Sequence, residues 1–388
     1  MTQAFNVQIP LTSVGLGAVG SIGEMVKTFA PSKVLVVTDT GVVKAGILDA
    51  VRLPLQKGGY NFDVYDGCRV EAPVSVIEEL GRKIKDGGYD LLIGVGGGST
   101  MDTTKVASIM AATGLSVHDL LGGSVAEKAV SKILVPTTAG TGSEWSHVAV
   151  VTDDKTDGQT KVFATPKNFA SAVIVDPELT LELPPKITAD TGMDALTHAI
   201  EAYTSLRANV MSDMFAETAI RLIAGNLPLA YAKGKNTEAR YNMSFAASVA
   251  MHAVAMSSAG LAHSMNEPLG KKAHISHGMA CTLLLPHVME FNLSAGAAKF
   301  ARIAELMGES VSGLPLPDAA AKSVAVVKRL AQDLGMPPKL DKGTLSKADI
   351  DEMAEDVYVA KGQMLAKTSP RPVSREDIAR IFHAVAGE

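Results

Sequence analysis

Between residues 30 and 180, short β-branched runs alternate with stretches of helical spacing. KVLVVTD (33–39), NFDVYDG (61–67), YDLLIGVGGG (89–98), KILVPTT (132–138), HVAVVTD (147–153) and SAVIVDP (171–177) read as strands. Residues 74–86 and 101–113 carry their apolar positions at helical intervals. Such alternation predicts an α/β domain, a parallel sheet with helices on its faces. After LELPPKIT (181–188) the β pattern stops, and Ala, Leu and Met recur at helical spacing between short turns. Pro184 and Pro185 interrupt either kind of element and mark the expected boundary. The expectation is an α/β domain over 1–183, an all-helical domain over 184–388, and a ligand cleft between them. Residues 245–261, apolar but interrupted by His252 and several serines, read as one core helix rather than a membrane span.

Composition narrows the function classes. With 388 residues, 47% hydrophobic and 20% charged, the chain can bury a large core. A net charge of −5 and scattered basic residues give no support for nucleic-acid binding. The two cysteines, Cys68 and Cys281, lie far apart and lack CxxC spacing, which argues against a disulfide framework or a thiolate metal site and fits a reducing, cytoplasmic setting. MTQAFNVQIP has no basic or apolar region of a secretory signal.

Three segments point to a dinucleotide. In LLIGVGGGSTMDTTK (91–105) a strand ends in glycines and a helix begins near Thr100, which places bare backbone N–H groups at a helix N-terminus and suits a pyrophosphate. Gly94, Gly96 and Ser99 match GxGxxG only loosely, and a tight βα turn explains the segment equally well. Asp39 ends the strand in VVTDTG, where an acid can bind a ribose 2′-hydroxyl and repel a 2′-phosphate; it can equally cap the next helix. The acid precedes the glycine loop here, unlike the standard Rossmann fingerprint. PTTAGTGSEWS (136–146) crowds Thr137, Thr138, Thr141 and Ser143 into one glycine-rich turn.

MDALTHAIEAY (193–203) reads as a buried helix, yet Asp194 and His198 stand at i and i+4 on one face. A buried, unpaired Asp194 would cost several kcal/mol, and no Lys or Arg stands one turn away. An Asp–His hydrogen bond inside the core is one solution. A shared metal ion is the other, provided that more ligands converge. Five of the nine histidines fall between His252 and His287. His252 reads as structural and His287 as a cap or core contact. His263, His274 and His277 remain to complete a site of one carboxylate and two or three imidazoles, which suits Fe(II), Zn or a similar ion.

GGGSTMDTTK, PTTAGTGSE, MDALTHAIEAY, GLAHSMNEPLG, HISHGMACTLLLPHVMEFN and SPRPVSREDIARIF, in this order, resemble the iron-containing (group III) alcohol dehydrogenases over essentially the whole chain. The resemblance implies a Rossmann-like dinucleotide-binding domain, a helical metal-binding domain and an active site in the cleft between them. It implies a metal held by Asp194, His198, His263 (after the Gly-Leu-x of 260–262) and His277 (before a glycine), with His274 set aside. Cofactor contacts map onto Asp39, Gly96, Gly97, Gly98, Ser99, Asp102, Thr137, Thr138, Thr141, Ser143 and Lys161. The implied activity is hydride transfer between NAD(H) and a small alcohol or aldehyde, with Fe2+, or Zn2+, polarising the substrate oxygen. A homodimer or larger assembly is the family expectation, and the charge, cysteines and hydropathy read above add a cytoplasmic setting with neither nucleic acid nor membrane as partner.

Three departures from the family pattern concern the pocket. Glu267 replaces a histidine four residues after His263, Val254 and Met256 replace a Phe-x-Asn pattern, and Ala72 replaces an asparagine in the VEAP turn. Glu267 is expected to reach the cleft and disfavour anionic substrates; a solvent-facing glutamate at a helix end is the alternative. A zinc-dependent glycerol-dehydrogenase-like enzyme, a metal-free maleylacetate-reductase-like enzyme and a non-enzymatic metal- or nucleotide-binding protein are the competing readings.

Overall fold

The computed structural model describes residues 7–156 and 158–387; residues 1–6, on which the expected lack of a secretory signal partly rests, lie outside the described set. The chain divides into two compact units, one of Gln8–Leu183 and one containing Pro184–Glu388.

In the first unit, β1 (Leu11–Val14), β2 (Val34–Asp39), β3 (Phe62–Cys68), β4 (Leu91–Gly96) and β5 (Ser131–Pro136) are strands. So are β6 (Val148–Thr152), β7 (Thr160–Ala164) and β8 (Ala172–Val175). The helices are α1 (Ile22–Phe29), α2 (Thr40–Lys44), α3 (Asp49–Lys57), α4 (Val74–Gly87), α5 (Gly98–Thr113) and α6 (Val117–Leu121). Six strands form one sheet in the order β1-β8-β5-β4-β2-β3, and every pairing in it is parallel. The Val/Ile/Leu runs of β2, β4 and β8 are continuous because both faces of the sheet are covered. Val34 and Val36 pack to one side with α1 and α3, Leu35 and Val37 to the other with α4 and α5.

Two expectations need correction. Residues 147–153 do form a strand, but β6 pairs antiparallel with β7 in a separate two-stranded sheet. Only a single 3-10 turn, Ser143–Trp145, and no α-helix intervenes between β5 and β6, so the crossover that a parallel neighbour requires is missing. Residues 245–261 are not one helix: α9 (Thr237–Ser257) ends, Ser258 takes the unusual φ of 140°, and the chain turns by 111° into α10 (Leu261–Ala273). Among the described residues no single helix is long and apolar enough to cross a membrane. β1 and β7 were not foreseen; β1 is short, partly exposed and at the sheet edge.

Beyond Pro184 the described residues contain helices and no strand. α7 (Pro185–Thr204) begins with Pro185 at its first position, where a missing N–H costs nothing. Then come α8 (Val210–Ala232), α9, α10, α11 (His277–Asn292), α12 (Ala297–Leu306), α13 (Leu316–Asp333), α14 (Lys347–Thr368) and α15 (Arg375–Ala386). α7, α8 and α9 pack on one another, while α10, α11, α14 and α15 share a second core. α7 is buried all round from Gly192 to Tyr203, so each polar side chain there must find a partner inside the protein.

Candidate functional site

In the first unit, the three segments expected at a dinucleotide meet at the C-terminal ends of neighbouring strands. β2 and β4 are adjacent, yet β2 leads outward to β3 and β4 to β5, so the chain direction diverges between them. Such a switch point opens a crevice at the strand ends, where α/β sheets bind ligands. Asp39 lies on one side of it and Gly96 on the other. Thr100 Oγ1 donates to Asp39 Oδ2 at 3.1 Å, and Thr137 N donates to Gly96 O at 3.0 Å. Asp39 is also the N-cap of α2, accepting from Gly41 N at 2.8 Å and Val42 N at 3.0 Å. α5 starts at Gly98, two residues before the expected Thr100, with Gly97 as an N-cap that supplies no side-chain bond. Its first N–H groups therefore lack a side-chain cap, as an anion site requires. A Cβ on Gly98 would stand 2.7 Å from Thr141, so the close approach of the two loops demands glycine.

Asp102 and Ser143 are turned inward. Asp102 accepts from Ser143 Oγ at 2.6 Å, Val150 N at 2.9 Å and Lys105 Nζ at 3.2 Å. Lys105, not singled out in the sequence, is fully buried and also reaches Ser143 Oγ and Val148 O. This knot ties the glycine-turn helix to the threonine-rich loop. Lys161 is held elsewhere, in the β6–β7 hairpin, with its ammonium 3.1 Å from Asp153 Oδ2. Ala72, which stands where the resembled pattern has Asn, is buried and left-handed at φ 45°, a region Asn enters more readily.

In the helical unit, one carboxylate oxygen gathers the candidate metal ligands. Asp194 Oδ1 stands 3.4 Å from His263 Nε2, 3.4 Å from His277 Nε2 and 3.7 Å from His198 Nδ1. α7 supplies Asp194 and His198, the first turn of α10 supplies His263, and the first residue of α11 supplies His277. The rings of His198 and His263 stack with centroids 4.2 Å apart. α11 sits against α7 because residue 278 is glycine: a Cβ there would come 2.1 Å from Asp190 O. His274 is exposed and left-handed at the C-cap of α10.

Two residues of this centre escaped the sequence reading. Glu201 lies seven residues after Asp194, on the same helical face, and its carboxylate accepts from His263 Nδ1 at 2.6 Å. It also accepts from Ala262 N at 2.6 Å and Gly260 N at 3.0 Å, capping α10 from a neighbouring helix. The i, i+7 interval in MDALTHAIEAY was the available signal. Cys281 follows His277 by one turn, with Sγ 3.7 Å from Asp194 Oδ1 and 4.0 Å from His263 Nε2.

The electrostatics call for a cation. Burial pushes the Asp194 carboxyl up, but the imidazoles of His198, His277 and His263 hold it well below the usual carboxylate range. Burial takes His198 down to about 3, leaving the neutral, ligating form. Burial opposes protonation of His263, yet Cys281, Glu201 and Asp194 raise it well above its ordinary value. His198 Nδ1 is buried with no hydrogen-bond partner. An orphaned imidazole nitrogen aimed at a carboxylate among further imidazoles fits a divalent ion, and a core hydrogen bond would not leave it idle.

The family model Iron-containing alcohol dehydrogenase matches residues 11–177, and the Fe-containing alcohol dehydrogenase family, C-terminal model matches residues 188–386. The chain belongs to the iron-containing alcohol dehydrogenase family. Long-chain-alcohol dehydrogenase 1 of Geobacillus thermodenitrificans is 37% identical over 381 residues, 97% of this chain and 95% of that protein. The crystal structure of a 1,3-propanediol oxidoreductase superposes with a TM-score of 0.94 at 35% identity, covering 99% of this chain and all of the other. Sulfoacetaldehyde reductase from Bifidobacterium kashiwanohense, solved in complex with NAD+, superposes with a TM-score of 0.89 at 28% identity, over 99% of both chains. This iron-containing alcohol dehydrogenase is thus an oxidoreductase acting as an alcohol dehydrogenase or aldehyde reductase.

The position of Glu201 generates a prediction. Glu201→Gln removes the charge behind His263 and sets an amide N–H₂ against backbone donors. It should weaken metal binding by about 10–100-fold with the helical fold retained, as read by chelator competition and circular dichroism. Unchanged affinity would reduce Glu201 to a helix cap.

Proposed function

We propose that the enzyme interconverts a small alcohol and its aldehyde using NAD(H) and one divalent ion, Fe2+ or Zn2+, held by Asp194, His198, His263 and His277. The observation that carries this reading is the convergence of three imidazoles on Asp194 Oδ1, with His198 Nδ1 left idle inside the protein. Bound there, the ion would supply Lewis acidity toward an alcohol or carbonyl oxygen, and NAD(H) would supply the hydride chemistry. The chain's own groups do the positioning. Glu201 fixes the His263 tautomer so that Nε2 faces Asp194. The His277 side chain is 56% exposed, which makes its edge the side open to substrate. The uncapped start of α5 receives the pyrophosphate, and Asp39 at the switch point takes the ribose.

The family's relatives named above support the alcohol or aldehyde as substrate. Two free, buried cysteines support a reducing, cytoplasmic compartment. The edge strand β1, with Leu11 58% exposed, supports self-association into a dimer or larger assembly. Glu267 shares a helical face with His263, since α10 continues through Pro268, and its charge is shared with Lys271 at 2.9 Å. We assign it to substrate selection on the basis of that shared face.

Replacing His263 or His277 with Ala should remove the ion and abolish reduction of NAD by short alcohols while the fold survives; metal content by mass spectrometry checks this. A requirement for His274, with His277 dispensable, would overturn the ligand set. Asp39→Asn keeps the acceptor that caps α2 but removes the charge. It should bring the rates with NAD and NADP closer together, chiefly by improving NADP. A wild type that already prefers NADP would refute the role of Asp39. Glu267→Gln should change the ranking of neutral, anionic and cationic alcohols at constant metal content, and an unaltered ranking would return Glu267 to the helix surface.

A further inference from the structure

A sulfur atom stands among the candidate metal ligands. Asp194, His263, His277 and Cys281 each offer one ligand atom, and these four atoms all lie within 4.8 Å of one another. Donors sharing a tetrahedral ion at about 2.0–2.3 Å stand roughly 3.3–3.8 Å apart. Asp194 Oδ1 meets that spacing with both imidazoles at 3.4 Å and with Cys281 Sγ at 3.7 Å, while Sγ stands outside it at 4.0 Å from His263 Nε2. A shift of a few tenths of an ångström, well within what ligation moves, closes the gap.

The way the sulfur is held matches that of a ligand. Cys281 is fully buried, and Asn266 Nδ2, itself buried, donates to Sγ at 2.9 Å and to His277 O at 2.8 Å. Partners of this kind fix and orient ligating side chains. His277 and Cys281 also form an i, i+4 pair on α11, as Asp194 and His198 do on α7. Asp194 from α7, His263 from α10 and the His277–Cys281 pair from α11 thus bring four ligand atoms together, and His198 Nδ1 stands behind them at 3.7 Å from Asp194 Oδ1. The idle His198 Nδ1 is an independent sign that this point takes an ion.

We propose that Cys281 is a sulfur ligand of the metal centre, making its donor set softer than one carboxylate with imidazoles and biasing it toward Zn2+ and Co2+ over Fe2+. The inference rests on the metal site proposed above. The S–H proton is released to solvent as the metal–sulfur bond forms, and no electron is transferred. A thiolate favours borderline-soft ions, whereas oxygen and nitrogen donors alone leave iron more competitive.

The test uses the full-length protein, chelated and reloaded with Co2+, with bound cobalt counted by mass spectrometry. Wild type should show an intense near-ultraviolet thiolate-to-cobalt charge-transfer band. Cys281→Ser and Cys281→Ala should bind cobalt without that band, and their preference for zinc over iron in competition should fall about tenfold. Circular dichroism establishes that each variant is folded. Should both variants fail to fold, X-ray absorption at the zinc edge of wild type decides, because a sulfur neighbour at about 2.3 Å is expected there. Stoichiometric cobalt with no charge-transfer band, or zinc with no sulfur neighbour, overturns the role of Cys281 and leaves the metal site standing. Failure to bind cobalt or zinc at all overturns both.

Discussion

Two carboxylates inside α7 set the terms for the helical unit. Asp194 and Glu201 are each at least 95% buried, on one face of a helix that is otherwise packed with Ala, Leu and Ile. A buried carboxylate without a positive partner is strongly destabilising, and no Lys or Arg contacts either group among the described interactions. The positive charge must come from imidazolium or from a metal. His263 lies between the two acids, bound to one through each ring nitrogen. The break between α9 and α10 serves that end. It sends the chain through 111° so that the first turn of α10, capped by Glu201, delivers His263. Gly278 serves it again by letting the first turn of α11 touch the backbone of α7.

The segments of the first unit expected at a dinucleotide follow a different logic, in which backbone does most of the work. The C-terminal ends of β2, β4 and β5 lie side by side, so an acid, an uncapped helix start and a hydroxyl-rich loop come together without being close in sequence. The buried Asp102–Lys105–Ser143 knot holds the loop against the helix. Part of what looked like ligand-binding chemistry in the sequence is therefore internal scaffolding. Asp39 shows that two readings of one residue need not compete: it caps α2 and stands at the switch point at once. A cap at a strand end is how an acid comes to be fixed in that position.

Much of this was legible in the residues alone, and the reason differs from element to element. β2, β4, β5 and β8 were readable because a strand buried on both faces needs an unbroken apolar run. α4 was readable because its apolar side chains recur on one face, and the Asp194–His198 pair because i, i+4 spacing is a local property of a helix. The boundary between β-rich and helical sequence lay at Pro184 and Pro185, where the backbone can continue neither a strand nor a helix interior. β6 was readable as a strand but not as half of a separate hairpin, since strand partners are chosen by chain connections and not by composition.

What only the tertiary structure decided is which distant residues meet. Glu201 belongs to the centre because α10 begins beside it, and Cys281 because α11 is pressed onto α7; neither fact is written in periodicity. The enclosure of Lys105 and the left-handed backbone at Ala72 likewise depend on neighbours far along the chain. Side-chain spacing within a helix reports which face a residue occupies. The identity of what faces it follows from packing between helices, and that is settled by the whole set of interlocking side chains rather than by any one segment.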